Sequence, residues 1–98
     1  MTITDTKDGS SLYIALDGRL DTTTAPDLEG FLKKSLDGIT DLTLDFENLT
    51  YISSAGLRVL LSTQKAMNKA GNMVVKNVND DITEIFEITG FTDILTIE

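Results

Sequence analysis

Hydrophobic residues in this chain switch between two spacings, and no other feature restricts the fold as tightly. Leu12, Ile14 and Leu16 alternate with Tyr13 and Ala15, and Leu42, Leu44 and Phe46 repeat the pattern. Side chains recur every second residue on one face of a strand, so both runs read as half-buried strands. Elsewhere the spacing widens to that of a helix. Leu28, Phe31, Leu32 and Leu36 form one stripe, Leu57, Leu60, Leu61 and Met67 a second, and Ile82, Ile85 and Phe86 a third. Stripes of this kind are the core-facing sides of amphipathic helices.

Turn and cap residues divide these runs. Thr2 to Thr6 is expected as a first strand, followed by a hairpin-type turn at Asp8-Gly9. The strand Leu12–Leu16 is broken by Gly18. Thr24 is the expected cap of the first helix, with Asp27 closing a capping-box-like pair and Pro26 in the first turn. Gly38 ends that helix. A third strand over Leu42–Phe46 leads through a short turn to Leu49–Ile52 and Ser53-Ser54, from which a helix runs to Ala70 and stops at Gly71. Met73–Val75 is a fourth strand. Asp80 or Asp81 caps a third helix, Gly90 ends it, Phe91 folds back on its last turn, and Ile94–Ile97 is a last short strand. Strand–helix–strand connections imply parallel pairing with right-handed crossovers. The expected fold is α/β: one domain over residues 1–98, with a mixed, mostly parallel sheet, an N-terminal hairpin and helices packed on it. Strand order stays open.

Composition narrows the function. A chain of 98 residues builds one core and leaves little for a deep substrate cavity. Hydrophobic residues at 41% and charged residues at 24% argue against disorder. The chain has no cysteine and no histidine. It can form neither a disulfide nor a Cys/His zinc site, and it lacks the side chain most used for proton transfer near neutral pH. Its formal net charge of −8 repels phosphate backbones and anionic membrane surfaces. No apolar run has the length of a signal peptide or a bilayer span. The expectation is a cytoplasmic binding protein rather than an enzyme, with no cofactor, no metal, and neither nucleic acid nor membrane as partner. Asp80-Asp81 lacks the spacing of a calcium loop, and no glycine-rich nucleotide loop is present. Asp45, at a strand end, reads as a structural or solvated acid.

The segment Leu44-Asp45-Phe46-Glu47-Asn48-Leu49-Thr50-Tyr51-Ile52-Ser53-Ser54-Ala55-Gly56-Leu57-Arg58-Val59-Leu60-Leu61 carries the most information. Either serine can cap the following helix by accepting from its free first-turn amides. Gly56 costs that turn about 1 kcal/mol of helix propensity against Ala, so something needs close access to the backbone there. A phosphoserine at Ser54 would also suit the position, because a helix N-terminus stabilises an anion.

This segment resembles the signature of STAS domains, in particular the bacterial anti-sigma factor antagonists. Their usual form is a strand ending in Asp, a short turn, then Asp-Ser-(Ser/Thr)-Gly-Leu-Gly. Leu16-Asp17-Gly18-Arg19-Leu20-Asp21 followed by Thr24-Ala25 is similar to the family's stretch before its first helix, and Ile85-Phe86-Glu87-Ile88-Thr89-Gly90-Phe91 to its late Leu-Phe-x-x-(Ser/Thr)-Gly-Leu segment. The resemblance implies a partner switch. An unphosphorylated antagonist binds an anti-sigma factor that is also a serine kinase, which frees the sigma factor. Phosphorylation ends the binding, and a PP2C-type phosphatase restores it. It places the acceptor at Ser54 and the partner-binding residues at Asp21, Thr22, Ser53, Ser54, Ala55, Gly56, Leu57 and Arg58. Two positions depart from the family pattern. Ser53 replaces the motif Asp and becomes a second candidate acceptor. Arg58 replaces the second motif Gly, one helical turn beyond Ser54, where it is expected to pair with a phosphate. The alternative is a constitutive STAS interaction subunit of another complex, such as a lipid-transport machine, with Ser54 only a helix cap. An enzyme built on Asp or Glu carboxylates ranks last, since no acid pair has a recognisable spacing.

Overall fold

Strand-forming alternation and helical stripes take the expected order, and Gly71 and Gly90 follow the last residues of their helices. Gly38 does not end the first helix: that helix stops at Ser35 with Leu36 as its cap, whose amide donates to the Leu32 carbonyl, and Gly38 serves the turn that follows at a φ of +78°. A computed structural model describes the whole chain, Met1–Glu98. Its elements are β1 (Thr2–Asp8), β2 (Ser11–Leu20), α1 (Ala25–Ser35), β3 (Asp41–Ile52), α2 (Ser54–Ala70), β4 (Asn72–Lys76) and α3 (Asp80–Thr89), followed by a short 3-10 turn at Phe91–Asp93. The sheet runs β1-β2-β3-β4. β1 pairs antiparallel with β2 from Thr2↔Asp17 to Asp8↔Ser11, across a turn in which Gly9 takes a φ of +62°. β2 with β3 and β3 with β4 are parallel. The fold class is therefore as expected.

Burial follows the pleat. Leu12, Ile14 and Leu16 on β2, Leu42 and Leu44 on β3, and Met73 and Val75 on β4 are buried. The intervening residues Tyr13, Asp17, Thr43, Val74 and Lys76 are exposed or half-buried. One sheet face therefore packs on the helices and the other stays open. Successive parallel strands step in one direction across the sheet, and right-handed crossovers then place the connecting helices on a single face.

Several expected boundaries move, each for a physical reason. Gly18 does not break β2. It takes a φ of +108° inside a strand that reaches Leu20. The two β3 segments are one strand, because the pairing steps from Ala15↔Asp45 to Asp17↔Asn48 and from Gly18↔Leu49 to Arg19↔Tyr51. β3 supplies one extra residue at each step, as in a β-bulge. The bulges also reset the pleat, so that Phe46, Leu49 and Ile52 are all buried.

Thr24 does not cap α1 through its side chain, and the expected pair with Asp27 does not form. Its hydroxyl instead donates to the Arg19 carbonyl at 2.8 Å. α3 is capped neither by Asp80 nor by Asp81. Asn79 Oδ1 accepts from the Ile82 amide at 2.8 Å, while its Nδ2 donates to the Leu49 carbonyl at 3.0 Å. An amide can do both, whereas a carboxylate lacks the donor. The expected last strand reduces to one parallel bridge, Val75↔Ile97, after the 3-10 turn. Gly90 closes α3 at a φ of +79°, and Phe91 stacks back on Phe86 with ring centroids 6.3 Å apart.

α2 packs against the sheet at β3 and β4 and also against α1. It therefore buries Val59 and the polar Thr63 and Gln64 beside Leu57, Leu60 and Met67, while Leu61 is only half-buried. Phe31 and Leu36 on and after α1 are likewise half-buried. At the far end of α2 the chain turns at Gly71 against β3. A Cβ there would sit 2.0 Å from the Thr40 carbonyl oxygen, and that oxygen accepts from the Asn72 amide at 2.8 Å. Backbone cannot yield as a side-chain tip can. Gly71→Ala is expected to lower unfolding free energy by about 2–3 kcal/mol, an over-packing cost. Gly30→Ala is the control: its site in α1 has nothing within 4 Å, so it should gain about 0.5–1 kcal/mol. Urea denaturation of both variants measures the contrast.

Candidate functional site

Parallel strands deliver their connecting helices to the same edge of a sheet, and that edge is where α/β folds place their sites. Here the carboxyl ends of β2, β3 and β4 lead into the N-termini of α1, α2 and α3. The turn at Ser53-Ser54 sits beside the Asp21–Thr24 loop, because Leu20 and Ile52 are register partners at the ends of β2 and β3. β4 ends earlier, with Lys76 level with Asp45, so the Asn77–Asn79 loop lies further back along β3 and reaches it at Leu49.

The two serines have different jobs. Ser53 is the cap. Its backbone is extended, its Oγ accepts from the Gly56 amide at 3.4 Å, and its carbonyl accepts from the Leu57 amide at 2.9 Å. Its own amide donates to the Leu20 carbonyl at 2.9 Å, which ties the helix start to the end of β2. Ser54 is the first helical residue and is exposed. The reading of Ser54 as merely a cap is corrected accordingly. As first residue of the helix, its hydroxyl stands beside backbone N–H groups that have no carbonyl partner within α2.

Gly56 has a structural reason. A Cβ on it would lie 2.8 Å from Leu20 Cγ and 2.9 Å from Ile52 Cγ1. What approaches its backbone is the protein's own core. Leu57 is buried with it, so these two expected partner-binding residues seat the turn and do not face solvent. Ala55 is half-buried. Arg58 is exposed and free of ion pairs with any acid of the chain, four residues beyond Ser54 on the same helix face. No acidic residue occupies the first turn of α2.

Asp21 holds the neighbouring loop. Its Oδ1 accepts from the Thr23 hydroxyl at 2.7 Å, the Thr23 amide at 2.9 Å and the Thr24 amide at 3.2 Å. The Thr23 hydroxyl and amide bonds, with those of Thr24, hold the Asp21 carboxyl below its usual range against a smaller opposing effect of burial. This is an Asx-type turn that serves the amides just before α1, while the Asp27 amide donates to the Thr24 backbone carbonyl at 3.0 Å. Thr22 is exposed at the loop tip. Two residues not singled out from sequence complete this side. Arg19 stacks over the Tyr51 ring at 4.2 Å from its centroid and lies 3.8 Å from Asp21 Oδ2. Arg19 and Tyr51 are register partners, a relation visible only once the bulges of β3 are known.

Asp45 stands further back on β3, level with Ala15 of β2 and Lys76 of β4. It is only 8% exposed, yet it accepts from the Tyr13 hydroxyl on β2, from Asn77 Nδ2 at 3.0 Å and from the Glu47 amide at 2.9 Å. Asn77 has a φ of +58°, a left-handed conformation that Asn adopts more readily than most residues. Burial pushes the Asp45 carboxyl up, but the bonds from Tyr13, Asn77 and Glu47 and the nearby Lys76 charge together bring it below its ordinary value. The same bond to Asp45 pushes the Tyr13 phenol up. A cavity of about 230 Å³ lies elsewhere, between α1 and α2, with Glu29 its sole carboxylate. No helix is long and apolar enough to cross a membrane.

Comparison with known proteins agrees with this architecture. The family model described as "STAS domain" matches residues 2–98. The anti-sigma-B factor antagonist of Staphylococcus aureus is 35% identical over 86 residues, covering 86% of this chain and 80% of that protein. An anti-sigma factor antagonist from Mycobacterium paratuberculosis superposes with a TM-score of 0.88 at 21% identity, over 98% of this chain and 83% of that one. The antagonist SpoIIAA superposes in its unphosphorylated form with a TM-score of 0.78 at 16% identity, over 99% of this chain and 87% of that one. Its phosphorylated form, from Bacillus, gives 0.77 at 17% identity, over 99% and 91%.

Asp45 yields a pH prediction. A carboxyl held below its unfolded value stabilises the fold above that value, near 3.8, and the contribution disappears as pH falls through the folded value. Asp45→Asn should therefore lose about 1–2 kcal/mol at pH 7 and show a shallower loss of stability below pH 4 than the parent chain. Chemical denaturation across pH 3–7 checks both.

Proposed function

The chain belongs to the STAS domain family, and from that membership we propose that it is an anti-sigma factor antagonist whose binding is switched at Ser54. The observation that carries the proposal is the division of labour at the start of α2. Ser53 does the capping, so Ser54 is free to be modified without loss of the helix. In its unphosphorylated form the chain binds an anti-sigma factor that is also a serine kinase, and the sigma factor is released. Phosphate on Ser54 ends that contact, and a PP2C-type phosphatase removes it.

Electrostatics supports this reading. Ser53, Ser54, Ala55, Thr22 and Thr23 make an uncharged patch. A phosphoryl group adds about −1.5 to −2 charges at its centre. Losing about 3–4 kcal/mol of binding lowers affinity a few hundred-fold, enough to release a partner. The phosphate would meet free amide groups at a helix N-terminus, where anions are stabilised. That SpoIIAA is solved with and without phosphate, and that this chain matches both forms almost equally, fits a switch without refolding. Acid–base catalysis draws no support here, because the two best-held carboxylates of the chain, Asp21 and Asp45, are shifted down, whereas a general acid is usually tuned upward.

Binding to the anti-sigma factor of the same cell, measured by calorimetry, tests the proposal. Ser54→Ala should bind like the parent chain and resist phosphorylation. Ser54→Asp should bind at least about 100-fold more weakly, a loss near 2.7 kcal/mol. Equal binding of both variants would instead leave a constitutive interaction module. Ser53→Ala should lose about 1 kcal/mol of stability as a lost cap and still accept phosphate at Ser54, read by mass mapping of the product.

Arg58 adds a finer prediction. If it pairs with the phosphate, Arg58→Ala should lower the Tm of the phosphoprotein, by about 0.5 kcal/mol in stability, and speed dephosphorylation. The unphosphorylated protein should be unchanged in Tm. Identical behaviour of the two phosphoproteins would remove the pairing.

A further inference from the structure

The end of α3 carries exposed apolar side chains that the Ser54 site does not use. Ile88 is 78% exposed and Ile94 42%, although both are large hydrophobic residues. They flank Gly90 and the Phe91–Asp93 turn, beside the half-buried Ile85 and Phe91. The fold gains little from Ile88, since α3 anchors itself through Ile82 and Phe86. An apolar patch rimmed by polar residues is a usual mark of an interaction surface.

The segment that carries these residues has one sign of charge. From Asn77 to Glu98 the chain has six acidic residues and no Lys or Arg. Glu84, Glu87 and Asp93 are exposed around the patch, and none of them has an ion-pair partner. A second copy of the chain would set acids against acids, which costs association energy. An anionic lipid surface is repelled for the same reason. The complementary occupant has apolar side chains flanked by Lys or Arg.

We propose that the end of α3, around Ile88 and Ile94, docks a basic amphipathic segment of a partner protein, separately from the Ser54 contact. The separation is geometric. α3 starts at Asn79, which is bonded to the Leu49 carbonyl near the carboxyl edge of the sheet. Ile88 is nine residues further on, about 13 Å along the axis. A phosphate on Ser54 therefore leaves this surface unobstructed.

The test uses the full chain and two synthetic helical peptides, one of Leu and Lys in amphipathic register and one with Glu in place of Lys. Amide chemical shifts are followed by NMR during titration. The expected result is binding of the Lys peptide alone, with shift changes confined to residues 84–95. Ile88→Gln should weaken it at least tenfold, as should Glu84→Gln with Glu87→Gln, with unchanged unfolding midpoints. Ser54→Asp should leave it unaltered. No binding, equal binding of the Glu peptide, shifts spread over the acidic surface or centred on Ser54, or an unchanged affinity of Ile88→Gln would each overturn the proposal. So would concentration-dependent self-association that Ile88→Gln abolishes, since the patch would then be a dimer face.

Discussion

The start of α2 rests directly on the ends of β2 and β3, and the site depends on that contact. Leu20 and Ile52 fill the space a Cβ at position 56 would need. The Ser53 amide, bonded to the Leu20 carbonyl, fixes the rotation at which the helix begins. With rotation and distance both set by buried groups, Ser53 points back to cap while Ser54 points out. A larger residue at Gly56 would lift the first turn from the strands and loosen the arrangement that separates the two roles. The glycine therefore costs helix propensity and gains a defined surface.

Much of the architecture was legible because hydrophobic spacing reports burial directly. The hairpin, the parallel units, the three helices and the stop at Gly90 all follow from local pattern. What was not legible depends on partners far away in sequence. Asp45 draws on Tyr13 and Asn77, each 32 residues distant, so nothing near it distinguished a buried, bonded acid from a solvated one. The bulges of β3 looked like a turn, since Glu47 and Asn48 interrupt the alternation just as loop residues would. Asn79 was passed over for Asp80 and Asp81 because all three are good caps locally; only the Leu49 carbonyl, which needs a donor, selects the amide. At the site, sequence placed the right turn but could not divide capping between adjacent serines; it offered Gly56 as a contact residue and Leu57 as both contact and core stripe, and the fold keeps both as foundation.

Asp21 and Asp45 show how acids can serve a site without doing chemistry at it. Each carboxylate spends its lone pairs on groups that order a loop: Thr23 and Thr24 after β2, Asn77 after β4. Bonding to the charged form lowers each carboxyl, and that is what rigid support requires, since a protonated acid would give up an acceptor. The loop beside Ser54 and the strand that leads to it are thus held by charge-assisted bonds. The turn at the end of β3 can change its charge while these supports keep their shape.

Charge layout explains why such a change can be read at all. The chain as a whole is strongly acidic, yet the first turn of α2 has no acid, Asp21 is engaged with its threonines beside Arg19, and the charge one helical turn beyond Ser54 is the unpaired cation Arg58. At physiological salt, charges beyond about 8 Å are largely screened, so a partner at this turn feels the local neutrality more than the net charge. Adding a dianion there transforms the local field; adding it among the acids of α3 would alter little. The end of α3 has the opposite character, with unpaired acids around exposed isoleucines. The two surfaces belong to different helices, one at the start of α2 and one at the end of α3, and contact at one need not perturb the other.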